Sequence, residues 1–289
     1  MTLPQTLPRP LRAAQAAVGR PIGAIDNGLD SLGRQLYFYL RALGWSFKTI
    51  RSYKKEVFRL IAEVALGNGA LALIGGSVGV IAFLTFFTGT EVGLEGYQGL
   101  NQIGVSRFAA FLAAYADTRE IAPLIAGLAL SATVGCGFTA QLGAMRINEE
   151  VDAMEVMGIP SLPYLVTTRI IAGLIAVVPL YVLGLLSSYF ATREIVVLFF
   201  HQSGGTYDTT FHQYLSPVDV LYSFVKVLIF AVVIVLIHCY YGYYASGGPA
   251  GVGNAVGRAV RTAIVAINVM DLFVGIAIWG SSVTVRIAG

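Results

Sequence analysis

Residues 121–160 read IAPLIAGLALSATVGCGFTAQLGAMRINEEVDAMEVMGIP. From Ile121 to Met145 there is no charged side chain, and then Arg146, Glu149, Glu150, Asp152 and Glu155 arrive within ten residues. A hydrocarbon core about 30 Å thick is crossed by about 20 apolar residues of helix, so the first part is long enough to span a bilayer. The second part belongs in water. The chain as a whole repeats this alternation. Hydrophobic residues make up 56% and charged residues 12%, with a mean hydropathy of +0.72, whereas a soluble domain carries about 25% charged residues. Residues 64–90 and 170–192 are further charge-free windows, and residues 220–245 and 262–285 are equally long with one charged residue each, Lys226 and Asp271. The expected fold is an all-α integral membrane protein with five transmembrane helices, and the expected location is the inner (plasma) membrane.

Lys and Arg favour the cytoplasmic side of short loops. Ten of the nineteen precede residue 60, which predicts a cytoplasmic N-terminus and a C-terminus on the outer face. Arg146, Arg169, Arg258 and Arg261 then lie inside, and Arg107, Arg119, Arg193 and Arg286 outside. Residues 103–116, apolar but interrupted by Arg107, are too short to cross and read as an outer-face helix or elbow.

The chain divides into three parts. Residues 1–28, with Pro4, Pro8, Pro10 and Pro21, read as a cytoplasmic tail without the apolar core of a cleaved signal peptide. Residues 29–62 read as an amphipathic helix, because Leu32, Leu36, Tyr39, Leu43, Phe47, Ile50, Val57 and Leu60 recur at helical intervals opposite Arg34, Arg41, Lys48, Arg51, Lys55 and Arg59. It would lie in the inner headgroup layer on anionic lipid, or pack on a partner subunit. Residues 63–289 form the membrane domain.

Several chemistries lack their residues. No phosphate-binding loop is present, so ATP would have to be hydrolysed elsewhere; residues 248–257, GPAGVGNAVG, follow no strand and have the wrong spacing for a dinucleotide site. His201, His212 and His238 are dispersed without metal-ligand spacing, and Cys136 and Cys239 fall inside spans as small hydrophobes. No catalytic residue and no nucleic-acid site is indicated. The glycines point to close helix crossings: Gly75 and Gly79 form a GxxxG, and Gly135 and Gly137 lie on the second span.

The charged segment is the candidate for coupling. A helix over residues 146–158 would put Ile147, Val151, Met154 and Met157 on one side and Asn148, Glu149, Asp152 and Glu155 on others, with Gly158 and Pro160 ending it. A short acidic helix tied at both ends to membrane spans can take a push from a soluble partner; the bland reading is a solvated turn. Lys226 and Asp271 are the other candidates. Each lies in the middle third of its span, where ionisable groups are costly and functional by default. They suit a structural ion pair, or the site of an ion-coupled secondary transporter.

Residues 139–159, TAQLGAMRINEEVDAMEVMGI, resemble the signature of the MlaE/YrbE permease family, the membrane subunits of ABC lipid transporters serving MCE-domain proteins. Residues 238–265, HCYYGYYASGGPAGVGNAVGRAVRTAIV, look most like the B-type YrbE permease of actinobacterial mammalian-cell-entry (Mce) systems. The resemblance implies a heterodimer with a paralogous permease, a cytoplasmic ABC ATPase dimer holding ATP and Mg, and a hexamer of MCE proteins above. It implies docking of the ATPase on Arg146, Glu149, Glu150, Asp152, Met154, Glu155 and Met157. A lipid pathway near Phe83, Phe86 and Phe87 would import fatty-acid or mycolate-type lipid, with sterol as the second choice. A scaffold for MCE proteins that does not itself transport is a further alternative.

Overall fold

The computed structural model describes residue 30 and residues 32–66 and 76–280. The tail at 1–28, Gly75, and the C-terminal Val285 and Arg286 lie outside the described residues. Two units are distinguished, residues 1–45 and 46–289. In the first, residues 32–44 form helix α1.

Every regular element among the described residues of the second unit is a helix. Two short helices, α2 (Ser46–Ser52) and α3 (Lys54–Leu66), are separated by Tyr53, so residues 29–62 do not form one continuous helix. Val57, Leu60 and Val64 of α3 are buried, a stripe at three- and four-residue spacing that packs on the membrane bundle, chiefly on the third span. This part of the amphipathic segment buries its apolar face in its own chain.

Five helices are long and apolar enough to cross a membrane: α4 (Ser77–Gln102), α5 (Ser106–Ile147), α7 (Leu162–Phe199), α9 (Pro217–Tyr243) and α10 (Gly248–Trp279). Their bounds differ from the charge-free windows. Helix α4 starts thirteen residues after Val64 and continues through Glu91 and Glu95. Residues 103–116 do not form a separate elbow: a turn precedes Ser106, and the rest are the first turns of α5, which carries on unbroken through Arg107, Arg119 and Glu120. The physical reason is common to both. A charge marks where a helix can leave hydrocarbon, but it satisfies no backbone group and so does not end a helix. At 42 residues, α5 runs for about 60 Å at 1.5 Å per residue, twice the hydrocarbon thickness. Two π-helical stretches, Ala113–Ile121 and Ser131–Gly135, interrupt its regular ladder, a feature that clusters at functional positions.

Two ends are closed by the same device. Gly104 (φ +73°) and Gly158 (φ +78°) each sit one residue past a C-cap, and the paired 5→2 and 6→1 bonds of a Schellman motif follow. Gly104 N–H donates to Asn101 and Val105 N–H to Leu100 after α4; Gly158 N–H donates to Glu155 and Ile159 N–H to Met154 after the short helix α6 (Glu150–Val156). One more short helix, α8 (Gly204–Tyr214), joins α7 to α9.

Helices α4 and α7 form the tightest crossing. A Cβ at Gly89 would land on the Ser188 carbonyl oxygen, and one at Gly184 would come within 3.0 Å of Ile81. Thr192 Oγ1 donates to the Gly89 carbonyl at 2.8 Å and Ser187 Oγ to that of Ala82 at 2.8 Å. Small residues and interhelical hydrogen bonds therefore replace the hydrophobic drive that lipid cannot supply. Of the glycines read from the sequence, Gly135 does admit a neighbour, His238, whose ring a Cβ there would meet at 2.6 Å; Gly137 faces open space. His238 is buried and clasps α5 to α9, Nε2 to Ser131 Oγ at 2.9 Å and Nδ1 to Thr139 Oγ1 at 2.8 Å.

Candidate functional site: an exposed acidic loop and an intramembrane ion cluster

Helix α5 carries Arg146 and stops at Ile147, so the acidic helix α6 begins four residues later than its sequence pattern suggests. Between them Glu149 adopts a left-handed conformation (φ +61°), which costs a non-glycine residue about 1–2 kcal/mol. The loop is fastened at several points. Val151 is buried, Arg146 Nη1 lies 2.6 Å from Asp152 Oδ1, and Glu155 Oε1 accepts a 2.5 Å hydrogen bond from Ser161 Oγ. Ser161 Oγ is also 2.7 Å from the Tyr243 hydroxyl on α9. Of the four acids, Asp152 and Glu155 are thus engaged within the chain, and Glu149 and Glu150 stand exposed at the front of the loop. Met154 is half-buried. Beside them Val156 is 89% and Met157 67% exposed. Val156 escaped the sequence reading because it lies off the apolar stripe; that misplacement was the available signal.

Behind the loop, a chain of polar contacts starting from one guanidinium links three elements. Arg169 is buried on α7, with Nη1 donating to the Leu165 carbonyl at 2.7 Å and Nη2 to Gln141 Oε1 at 3.2 Å. Gln141 Nε2 donates in turn to Glu63 Oε1 on α3 at 2.5 Å, and Arg59 bridges Glu63 and Glu56. The hydrogen bond from Arg59 holds the Glu56 carboxyl below the usual carboxylate range. This chain of polar contacts ties α3 to α5 and α7 next to the acidic loop. In the sequence Glu63 and Arg169 border apolar windows, and Arg169 otherwise marks only the cytoplasmic side.

The second cluster lies within the spans. Lys226 of α9 is 0% exposed, and its ammonium reaches three oxygens: Glu120 Oε2 at 2.5 Å, Asp271 Oδ1 at 2.8 Å and the Arg119 carbonyl at 3.0 Å. The structure therefore brings Lys226 and Asp271 together and adds Glu120, which is 48% exposed. One cation faces two carboxylates, and the half-exposed one is Glu120. A layer of further polar groups lies beside it: Arg119 pairs with Asp219 at 2.8 Å and stacks 3.9 Å over Tyr115, while Trp279 Nε1 donates to Asp219 at 2.8 Å. Glu120 and Asp219 were missed because each borders an apolar window, where a charge looks solvated.

Phe83, Phe86 and Phe87 lie on α4. Phe83 and Phe87 are exposed with ring centroids 4.6 Å apart, and Phe86 meets Phe87 edge-on at 5.8 Å. In the single chain they form an outward-facing aromatic stripe, not an enclosed pocket. No group of three metal-ligating side chains occurs among the described residues.

Comparison with known proteins adds to this geometry. The family model for Permease MlaE matches residues 67–277. A "Probable ABC transporter permease protein" of Rickettsia bellii is 33% identical over 198 residues, 68% of this chain and 76% of its own length. A protein of the same description from Rickettsia felis is 29% identical over 253 residues, 86% of this chain and 96% of its own. The "Intermembrane phospholipid transport system permease protein MlaE" of Haemophilus influenzae is 24% identical over 264 residues, 89% of this chain and 99% of its own.

Proposed function

Since the chain belongs to the MlaE permease family, a multi-pass membrane transport subunit of ABC type, we propose that it forms the lipid pathway of an ATP-driven lipid transporter and couples that pathway to a separate ATPase through residues 146–158. The observation that carries this reading is the loop itself: Glu149, Glu150, Val156 and Met157 project from a segment pinned to α5, α7 and α9. Force applied there reaches three spans without first bending a flexible linker. ATP and Mg would be held by the ATPase dimer.

The finer reading follows the sequence resemblance. The chain pairs with a paralogous YrbE-type permease, sits with its N-terminus in the cytoplasm beneath a hexamer of MCE proteins, and imports fatty-acid or mycolate-type lipid, with sterol second. Such a tail gains about 0.8 kcal/mol per buried CH₂, so release from an apolar cavity needs work, and closure of the ATPase pair would supply it. The outward Phe83, Phe86 and Phe87 become cavity wall when a second permease covers α4. The test is purification of the intact complex from membranes, mass spectrometry of its subunits and bound lipids, and lipid uptake into proteoliposomes with and without ATP. A chain that purifies without any ATPase, or uptake indifferent to ATP, refutes the reading.

One observation favours a second reading. Glu120, in the Lys226–Asp271 cluster, and the fully buried Asp117, against Ser188 of α7, add two acids to the spans, which an ion-coupled transporter would use. Uptake driven by an ion gradient with an inactive ATPase would select it.

A further inference from the structure

At the end of the bundle away from the acidic loop, a recess of about 720 Å³ opens between the start of α5 and helix α8. Helix α8 is amphipathic. Tyr207 and Phe211 pack inward with Ala109, Ala110 and Val196, and the adjoining polar side, Thr206, Thr210 and Gln213, lines the recess together with Ser203, Tyr214 and Arg107. Arg107 is exposed, lies 4.8 Å over the Phe108 ring, and forms no ion pair among the described residues. The lining contains no carboxylate. The acids that flank the lining in sequence are all paired: Asp208 and Glu194 with Arg193, at 2.9 and 3.1 Å, and Asp219 with Arg119 at 2.8 Å. What remains is one uncommitted guanidinium beside hydroxyl and amide donors, a set that suits an oxyanion.

Depth and surroundings narrow the source of that anion. Arg107 precedes Glu120 by thirteen residues, about 20 Å of helix, while Lys226, which holds Glu120, follows Pro217 by nine, about 14 Å. The recess is therefore about level with the end of α9, where a helix of 27 residues passes from hydrocarbon into the headgroup layer. The residues leading into α5 and α8 carry exposed apolar side chains, Ile103 before Arg107 and Leu198 and Phe199 before Ser203. A polar recess with apolar side chains at its flanks fits an amphiphile, not a free ion.

We propose that this recess binds the phosphate-bearing headgroup of an anionic membrane lipid, with Arg107 as the charge partner and the α8 hydroxyls as neutral donors. The site is separate from the Phe83–Phe87 stripe and does not depend on the transport reading. The test uses the full chain in phosphatidylcholine nanodiscs doped with phosphatidylglycerol, with bound lipid counted by native mass spectrometry. Phosphatidylglycerol should be retained saturably over phosphatidylcholine. Arg107→Gln should weaken retention by about tenfold or more, the range of a lost charge-assisted hydrogen bond. Arg107→Lys should restore part of it, and Thr206→Val with Thr210→Val should weaken it less. Millimolar inorganic phosphate that displaces the lipid shows that the recess reads the phosphate alone; phosphate without effect shows that the acyl chains are required as well. Both outcomes support the site. Retention that is unchanged in a folded Arg107→Gln chain, or equal for the two lipids, overturns the proposal. So does loss of a protein subunit from the native complex on Arg107→Gln with lipid binding intact, which would make the recess a protein contact. Loss of ATP-dependent uptake bears on transport alone and leaves this result unaffected.

Discussion

Replacing Lys226 should destabilise the bundle, and the repair should need three substitutions, not two. At the observed 2.5 and 2.8 Å, each carboxylate attracts the ammonium by about 6 kcal/mol at an effective dielectric near 20. Desolvation of several kcal/mol per ion offsets most of that gain. Lys226→Met keeps the desolvation of the two carboxylates and removes their attraction to the ammonium, leaving Glu120 and Asp271 facing each other; the expected cost is about 3–5 kcal/mol. Adding Asp271→Leu removes one orphan but leaves Glu120. Because Glu120 is half-exposed, the residual penalty should fall to roughly 1–2 kcal/mol. Adding Glu120→Gln should bring the triple variant near wild type, since apolar or neutral replacement of a whole buried ion cluster is often tolerated. Monodisperse yield and thermal unfolding of the purified complex give the order, with Lys226→Met lowest, the double variant intermediate and the triple highest. A Lys226→Met chain as stable as wild type, or a triple variant no better than the single, would refute the reasoning. Lipid uptake then separates structure from chemistry. A structural cluster predicts that the triple variant transports; one that assembles fully and transports nothing makes the cluster an ion relay.

Other expectations concern other sites. Glu149→Lys with Glu150→Lys should lower ATPase recovery in a pull-down while the permease stays inserted, and Val156→Asp with Met157→Asp should do the same; normal recovery with both pairs would remove the loop as the docking point. Gly89→Val forces a side chain onto the Ser188 backbone and should cost about 1–3 kcal/mol or more, read as lost yield, whereas Gly137→Ala, with open space around it, should be silent. Asp208 on α8 is held below the usual carboxylate range by its hydrogen bond from Arg193. Its stabilising contribution is therefore complete above the unfolded value of about 3.9 and fades as pH falls through the lower folded value. Arg193→Gln should flatten the acid limb of the unfolding profile below about pH 4; an unchanged limb would show that this exposed pair contributes nothing.

The helix count was legible in the sequence because spans are set by hydropathy and length alone: a charge-free window such as residues 121–145 has few other stable solutions in a bilayer. The acidic segment was legible too, since its charges interrupt apolar sequence and Gly158 and Pro160 terminate it. Helix ends were not. Glu91, Arg119 and Glu120 read as borders and Arg107 as an interruption, yet α4 and α5 run through them, because backbone hydrogen bonding continues wherever a charged side chain finds water or a partner. Partnership across helices was equally hidden. Nothing in one dimension says that Glu120 completes the Lys226–Asp271 pair, that Gln141 joins Arg169 to Glu63, or that Asp152 and Glu155 are engaged while Val156 and Met157 stand free. Those facts depend on the rotation of each helix about its axis, and packing sets that rotation through contacts such as Gly89 on Ser188 and Gly135 on His238. Sequence alone determined which segments enter the membrane; tertiary structure decided which faces meet, because in lipid every apolar face is equally soluble and only close fit and polar pairing distinguish them.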